Sequence, residues 1–477
     1  MARSTGSRCS CAFGSKRPSA QLCPAWAFQG RHRLPEHSRL QSRHWADSSR
    51  RIQRAQSQSN EEGGPADSGL SSSEAVPDGV SVYDSTEFDA GNITERLPRE
   101  VVRQMRDTVF GFEFFVTGVE DYQANGVLFK GNLRGDPARA YRHISERLQA
   151  ELGGAWVLYL LDGPEEGRPV AVVLPAGAGV EGSQPLPTLQ EAYLAAVFCL
   201  ATLITTLNAN GLPLLEFDSE RYRANLTAAA ALAALPGTAI FFTLLLAHEA
   251  GHRWAALRRD VQLGPPIFVP AWLGFLGSFG AITTFRRVLP DRETLLEVAA
   301  AGPAAGAAAS LVAVAVGLAL SANGSGGIQF EPGAFDDSLL IGVLGRLVLG
   351  DRLLAESVNL SPVLIAGWAG LIVNALNCLP TGVLDGGRIA HGLWGRRAAG
   401  RVGVVTLLLL GLGGLVNTLA LFWALLVVTL QRGPVPPVAQ EIAAPPSKAA
   451  RRLGVALLVL PLLVLLPLPL PVAPDVL

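Results

Sequence analysis

His248-Glu249-Ala250-Gly251-His252 carries the residue types and spacing for metal chemistry. Histidines at i and i+4 share one helix face. Both imidazoles can then reach one zinc ion, with Glu249 beside a zinc-bound water. The motif ends an apolar run over residues 237–247. An ionisable side chain at membrane depth costs roughly 2.5–3.5 kcal/mol or more, so such groups usually mark function. The competing reading is a chance match or a structural pair of helix-end histidines, which the apolar setting disfavours.

A catalytic zinc takes three protein ligands and leaves a position for water. The soluble continuation HExxHxxGxxH fails here, because Ala255 and Arg258 stand where glycine and histidine are required. A glutamate on a neighbouring helix would serve, but no acid occurs between Asp260 and Asp291, and Glu293 and Glu297 sit at the entrance to the next apolar stretch. Asp385 is the better third ligand, at the end of a returning apolar stretch and followed by Gly386 and Gly387. Read alone, Asp385-Gly386-Gly387 is an ordinary turn; read with the histidine motif on the same membrane side, it is a ligand. His391 is a further possible ligand but suits an ordinary polar position, and His143 is expected to face solvent.

The rest of the chain must bring these residues together. Its 477 residues are 49% apolar and 17% charged, below the roughly 25% of soluble domains, which points to a membrane protein. A net charge of −1 and the lack of any nucleic-acid module give no reason to expect nucleic acid as a partner. The five cysteines suggest neither a disulfide framework nor a CxxC metal site. Residues 1–55 hold eleven Lys and Arg against Glu36 and Asp47, with no secretory apolar core, and read as an organelle transit peptide. The alternative is a basic tail that stays attached. Residues 56–95 read as a disordered linker rich in Ser, Glu, Gly and Asp.

Residues 96–188 read as a small soluble α+β domain and its linker to the membrane. A helix is expected over 98–109, a strand at 127–129, a helix from Asp136-Pro137 to about Leu152, and strands over 156–161 and 169–174. Residues 189–477 form the membrane domain, with spans expected over 190–208, 226–250, 295–320, 361–380, 402–430 and 453–473. Stretch 402–430 is long for one crossing and short for two. Stretch 266–285 is broken by Pro270, Gly274, Gly277 and Gly280 and is expected to be a re-entrant hairpin, since bent backbone survives at membrane depth only when enclosed by protein. Stretch 339–349 is too short to cross and is expected at the interface. This count puts both motifs on one arginine-rich side, while loop 321–338 has no Lys or Arg and holds Glu331, Asp336 and Asp337.

Asn377, Pro380, Leu384, Asp385 and Gly386 fill an NxxPxxxLDG pattern, and with the histidine motif the chain resembles the site-2-protease family of intramembrane zinc metallopeptidases. Ala301-Gly302-Pro303-Ala304-Ala305-Gly306 looks like the family's small-residue motif, though close helix packing explains such residues equally. Gly131-Asn132-Leu133-Arg134-Gly135 is similar to the GNLRG signature of the EGY-type chloroplast branch; on its own it could be a turn. A non-catalytic relative in that branch lacks the zinc motif, which this chain retains.

The resemblance implies an α-helical polytopic membrane protein of about six to eight transmembrane helices. It implies a site-2-protease-like core with a re-entrant hairpin, behind the α+β domain. His248, His252 and Asp385 would hold Zn2+, and Glu249 would act as base and then acid. Asn377 would hydrogen-bond an unwound substrate strand; capping or stabilising its helix end is the other reading. The hairpin could dock substrate by strand addition. Expected partners are membrane-embedded protein substrates and membrane lipid, in a chloroplast membrane, thylakoid before envelope. The alternatives are a proteolytically silent scaffold or chaperone-like partner that keeps the motif, and a zinc transporter, for which ligands should be spread across membrane depth.

Overall fold

The computed structural model describes residues 99–122, 126–163, 168–175, 188–215, 226–273, 275–324, 327–430, 436–442 and 446–468. The expected transit peptide and linker lie outside them.

The α+β part starts with α1 (Arg99–Gln104), prolonged by a π-turn to Val109. Strands β1 (Phe114–Tyr122), β2 (Gly126–Leu133), β3 (Trp156–Asp162) and β4 (Pro169–Pro175) form an antiparallel sheet in the order β1-β2-β4-β3. Helix α2 (Pro137–Leu152) begins where sequence places it: the Asp136 side chain accepts from the Arg139 amide and Pro137 occupies the first turn. Alternation along the strands sends Phe129, Leu158, Leu160, Ala171 and Val173 into a core shared with Phe110, Phe114, Ile144 and Leu148. Strand β1 was not expected from sequence. Gly118 and three polar residues break its apolar pattern, and a register shift between Val116 and Gly118 breaks its alternation.

Three described helices are long and apolar enough to cross a membrane: α3 (Thr188–Ala209), α4 (Ala228–Arg258) and α5 (Arg292–Ala322), with mean hydropathies of 1.7, 2.0 and 2.0. Thr227 and Asp291 cap α4 and α5 by accepting from the amides three residues on. The hairpin of β5 (Ile267–Leu273) and β6 (Leu276–Ile282) follows α4, and the Thr205 hydroxyl of α3 donates to Gly277 O at 2.6 Å.

Strands β7 (Ile328–Phe330) and β8 (Val358–Leu360) pair around α6 (Leu339–Leu349), which is capped by Ser338. Helix α7 (Pro362–Asn377) has only 16 residues and is buried from Leu364 onward. After it come α8 (Asp385–Trp394), α9 (Arg396–Gly413), α10 (Thr418–Leu430) and α11 (Lys448–Leu465). The apolar stretch 402–430 is therefore two helices, parted at 414–417, where the Asn417 side chain accepts from the Ala420 amide to start α10. Among the described residues, the expected spans over 361–380, 402–430 and 453–473 are thus shorter or interrupted helices.

Candidate metal centre

His248 and His252 lie on the buried face of α4, which has 31 residues. His248 is twenty residues past Ala228, about 30 Å along the axis and about one hydrocarbon thickness from the helix start. The apolar length of α4 thus ends where its polar chemistry begins. Helix α5 packs against this face through small residues. A Cβ on Gly302 would run into the His252 ring, and one on Gly306 into Asn374 and His248. The 301–306 stretch is therefore close packing placed directly over the histidines.

Asp385 reaches the site by a route the sequence did not show. The chain turns over 378–384, with Gly382 at φ +55°, and Asp385 then opens α8. The turn that composition alone suggests at Asp385-Gly386-Gly387 lies upstream of it. Gly386 and Gly387 let the new helix press on the carbonyls of Cys378, Thr381 and Gly382, where a Cβ would collide.

The three side chains converge. His248 Nε2 lies 3.2 Å from Asp385 Oδ2 and His252 Nε2 lies 3.3 Å from it. The two Nε2 atoms are 3.0 Å apart. Ligands about 2.0–2.1 Å from a tetrahedral zinc stand roughly 3.3–3.4 Å from one another, so these atoms are spaced as a set that could hold one zinc ion. All three residues are buried, between 5% and 6% exposed. Both Nδ1 atoms have partners: His248 Nδ1 lies 2.9 Å from Asn374 Oδ1, and His252 Nδ1 lies 2.8 Å from Val298 O. Those partners select the tautomer that turns each Nε2 lone pair inward. Arg388 Nη1 stands 3.9 Å from Asp385 Oδ1, on the side away from the imidazoles. The donor set of two imidazoles and one carboxylate suits zinc and leaves a fourth position.

Glu249 is buried beside the cluster. Thr283 Oγ1 donates to its Oε2 at 2.8 Å, and Arg253 Nε is 2.7 Å from its Oε1. The Thr283 carbonyl accepts from Arg388 Nη2 at 3.0 Å, so one residue just past β6 touches both Glu249 and the neighbour of Asp385. Asn377 Nδ2 donates to Phe279 O at 3.0 Å and to Val373 O at 2.9 Å, which ties α7 to the hairpin.

The other acids and histidines are engaged elsewhere. Glu293 and Glu297 pair with Arg259. His143 is half-exposed and contacts Glu113. His391 is fully buried against Glu441, away from the cluster. Burial alone would raise the Glu441 carboxyl, but the hydrogen bond and charge of His391 hold it below its usual range. Asn374, Thr283 and Glu441 were missed by sequence reading. Only Asn374 had a signal available, since it precedes Asn377 by three residues on the same helix face. GNLRG closes β2: Gly131 lies under the Phe114 ring, and the Arg134 guanidinium lies 4.9 Å from the centre of the Phe112 ring.

Comparison with known proteins gives the same answer from a different direction. Residues 236–410 match the model of peptidase family M50, and residues 103–181 match the EGY3 middle domain. The chain is 40% identical over 390 residues to probable zinc metalloprotease EGY2, chloroplastic, of Oryza sativa subsp. indica, covering 80% of this chain and 68% of that one. It is 41% identical over 376 residues to the EGY2 protein of Arabidopsis thaliana, covering 78% and 66%. It is 34% identical over 418 residues to probable zinc metalloprotease EGY1, chloroplastic, of Arabidopsis thaliana, covering 81% and 75%. No solved structure matches. The chain belongs to the EGY zinc metalloproteases, built on the site-2 protease (M50) domain.

Proposed function

We propose that this protein cleaves membrane-spanning protein segments within a plastid membrane, with His248, His252 and Asp385 as zinc ligands and Glu249 as the proton carrier. One observation carries the reading: His248 and His252 stand 3.2 and 3.3 Å from Asp385, at least 133 residues further along the chain, with all three side chains buried. Bound zinc supplies a Lewis acid that acidifies water and polarises the scissile carbonyl.

The chain's own residues do the rest. Glu249 takes a proton from the attacking water and hands it to the leaving amine. Thr283 fixes the rotamer that aims Glu249 at the cluster. Helical substrate hides its carbonyls in its own hydrogen bonds, so the scissile segment must unwind. Hairpin β5–β6 lies at membrane depth and offers a strand edge to that segment, and Asn377 holds the hairpin against α7 next to the site. The relatives' printed names say chloroplastic. That agrees with the basic leader over residues 1–55, and within the plastid we favour the thylakoid over the envelope.

Glu249→Gln tests the reading. The variant should fold, keep its zinc and lose cleavage of single-span membrane proteins, which then accumulate as precursors. Wild-type proteolysis by it would overturn the assignment. Wild-type zinc content in Asp385→Ala would overturn the ligand set.

A further inference from the structure

His391 and Glu441 form a buried pair that the proposed chemistry does not use. His391 is 0% exposed and Glu441 is 3% exposed. His391 Nε2 lies 2.8 Å from both carboxylate oxygens, and its Nδ1 has no hydrogen-bond partner among the described residues. Oε1 of Glu441 also accepts from the Arg396 amide at 2.9 Å. One carboxylate therefore holds the end of α8 and the start of α9. Arg292 adds hydrogen bonds from its guanidinium to Gly392 O and Leu393 O. Helix α8 has ten residues, with Asp385 at its first position. His391 lies six residues on, about 9 Å along the axis.

Glu441 is itself held on two sides by main chain. Ala439 O accepts from the Leu160 amide at 2.8 Å, and the Glu441 amide donates to Leu160 O at 3.0 Å. On the other side the Ala439 and Gln440 amides donate to Leu289 O and Pro290 O, both at 2.9 Å. Residues 438–441 thus lie as a strap between β3, the edge strand of the soluble sheet, and the loop leading into α5. Arg397 Nη2 donates to Asp162 O at 3.2 Å and joins α9 to the same strand.

We propose that Glu441 is a positioning residue for the metal centre: through His391 it fixes α8, and so Asp385, against a strap anchored on the soluble sheet. This rests on Asp385 being a zinc ligand. With its far end pinned by Glu441 and Arg292 and its first turn packed on the 378–382 carbonyls, α8 has little freedom to carry Asp385 away from the two imidazoles. The strap also gives the α+β domain a mechanical link to the centre, since a shift of β3 moves Glu441 directly.

The test is zinc affinity of the full-length protein, read by competition with a chelating dye, in Glu441→Gln, Glu441→Asp and Glu441→Ala. The amide oxygen of E441Q can still accept from Arg396 and His391, so its affinity should stay near wild type. E441D cannot reach both partners and E441A reaches neither, so both should bind zinc about tenfold more weakly or worse. If E441A does not accumulate, the E441D and E441Q pair gives the comparison. Unchanged zinc affinity in all variants, with only the thermal midpoint of zinc-free protein lowered, would reduce Glu441 to a structural residue and overturn the proposal. So would equal losses in E441Q and E441D. Wild-type zinc affinity in Asp385→Ala would instead sink the ligand reading itself.

Discussion

The carboxylate proposed as proton carrier, Glu249, is held at both oxygens: Arg253 stands 2.7 Å from Oε1, and the Thr283 hydroxyl donates to Oε2 at 2.8 Å, aiming that oxygen without adding charge. Thr283→Val keeps the volume and removes the donor, leaving Glu249 Oε2 without that partner. A neutral donor to a charged acceptor is worth roughly 1.5–3 kcal/mol. Turnover in T283V should therefore fall about tenfold to hundredfold with zinc content unchanged, and Thr283→Ser should restore it. The checks are kcat on a single-span substrate and metal analysis of the same preparations. A zinc loss in T283V that matched its activity loss would assign the effect to the ligands rather than the base.

At the scale of elements, the face between α4 and α5 sets the site. Gly302 lies where any Cβ would strike the His252 ring, so Gly302→Ala should push the imidazole out of register with Asp385. Overpacking of this kind costs about 1–3 kcal/mol. G302A should keep its helices and lose zinc affinity, as read by circular dichroism and metal titration; wild-type affinity would mean that α5 can retreat freely. The α+β part makes a separate prediction. Arg147 donates to both oxygens of Glu113 at 2.7 Å and holds its carboxyl at about 2. A depressed carboxyl adds stability that is full above its unfolded value near 4.5 and is lost as pH falls through about 2. Pepsin cleavage within 99–175 of the full-length protein should therefore rise as pH drops across that window. Glu113→Gln, lacking about 1 kcal/mol of ion pair, should be cleaved faster at pH 4.5 and show a flatter rise.

These elements also show where sequence reading succeeded. His248, Glu249 and His252 were legible because helix spacing is local, and α2 because Asp136-Pro137 is a cap written in adjacent residues. Asp385 was legible as a partner of the two histidines but not as the start of α8, since DGG composition suits a turn and only contact with the 378–384 carbonyls makes it a helix. Thr283 and the His391–Glu441 pair join residues 34 and 50 apart, through folding that no periodicity encodes.

In the molecule as a whole, charge and structure agree on one end. Arg253, Arg258 and Arg259 lie at the C-terminal end of α4; Arg286, Arg287 and Arg292 lead into α5; Arg388, Arg396, Arg397 and Arg401 follow α7. The four-stranded sheet touches the same end through Arg397 and the 438–441 strap, and His248, His252 and Asp385 gather at that end. At the other end of α5, loop 321–338 carries Glu331, Asp336 and Asp337 and no Lys or Arg. Arginine resists translocation, so the arginine-rich end should face the compartment from which the chain inserts. Gln262 and Asn323 are exposed at opposite ends of this arrangement, and single cysteines there provide the check. In sealed vesicles of one orientation, a membrane-impermeant maleimide should label only one of Gln262→Cys and Asn323→Cys, and permeabilisation should expose the other. With Cys9, Cys11 and Cys23 replaced by serine in both variants, Cys378 is buried and Cys199 lies on an apolar helix, so neither should compete for an aqueous reagent. Labelling of both sites from one side would mean that α5 does not cross, and the assignment of the arginine-rich end and the acidic 321–338 loop to opposite compartments would fall.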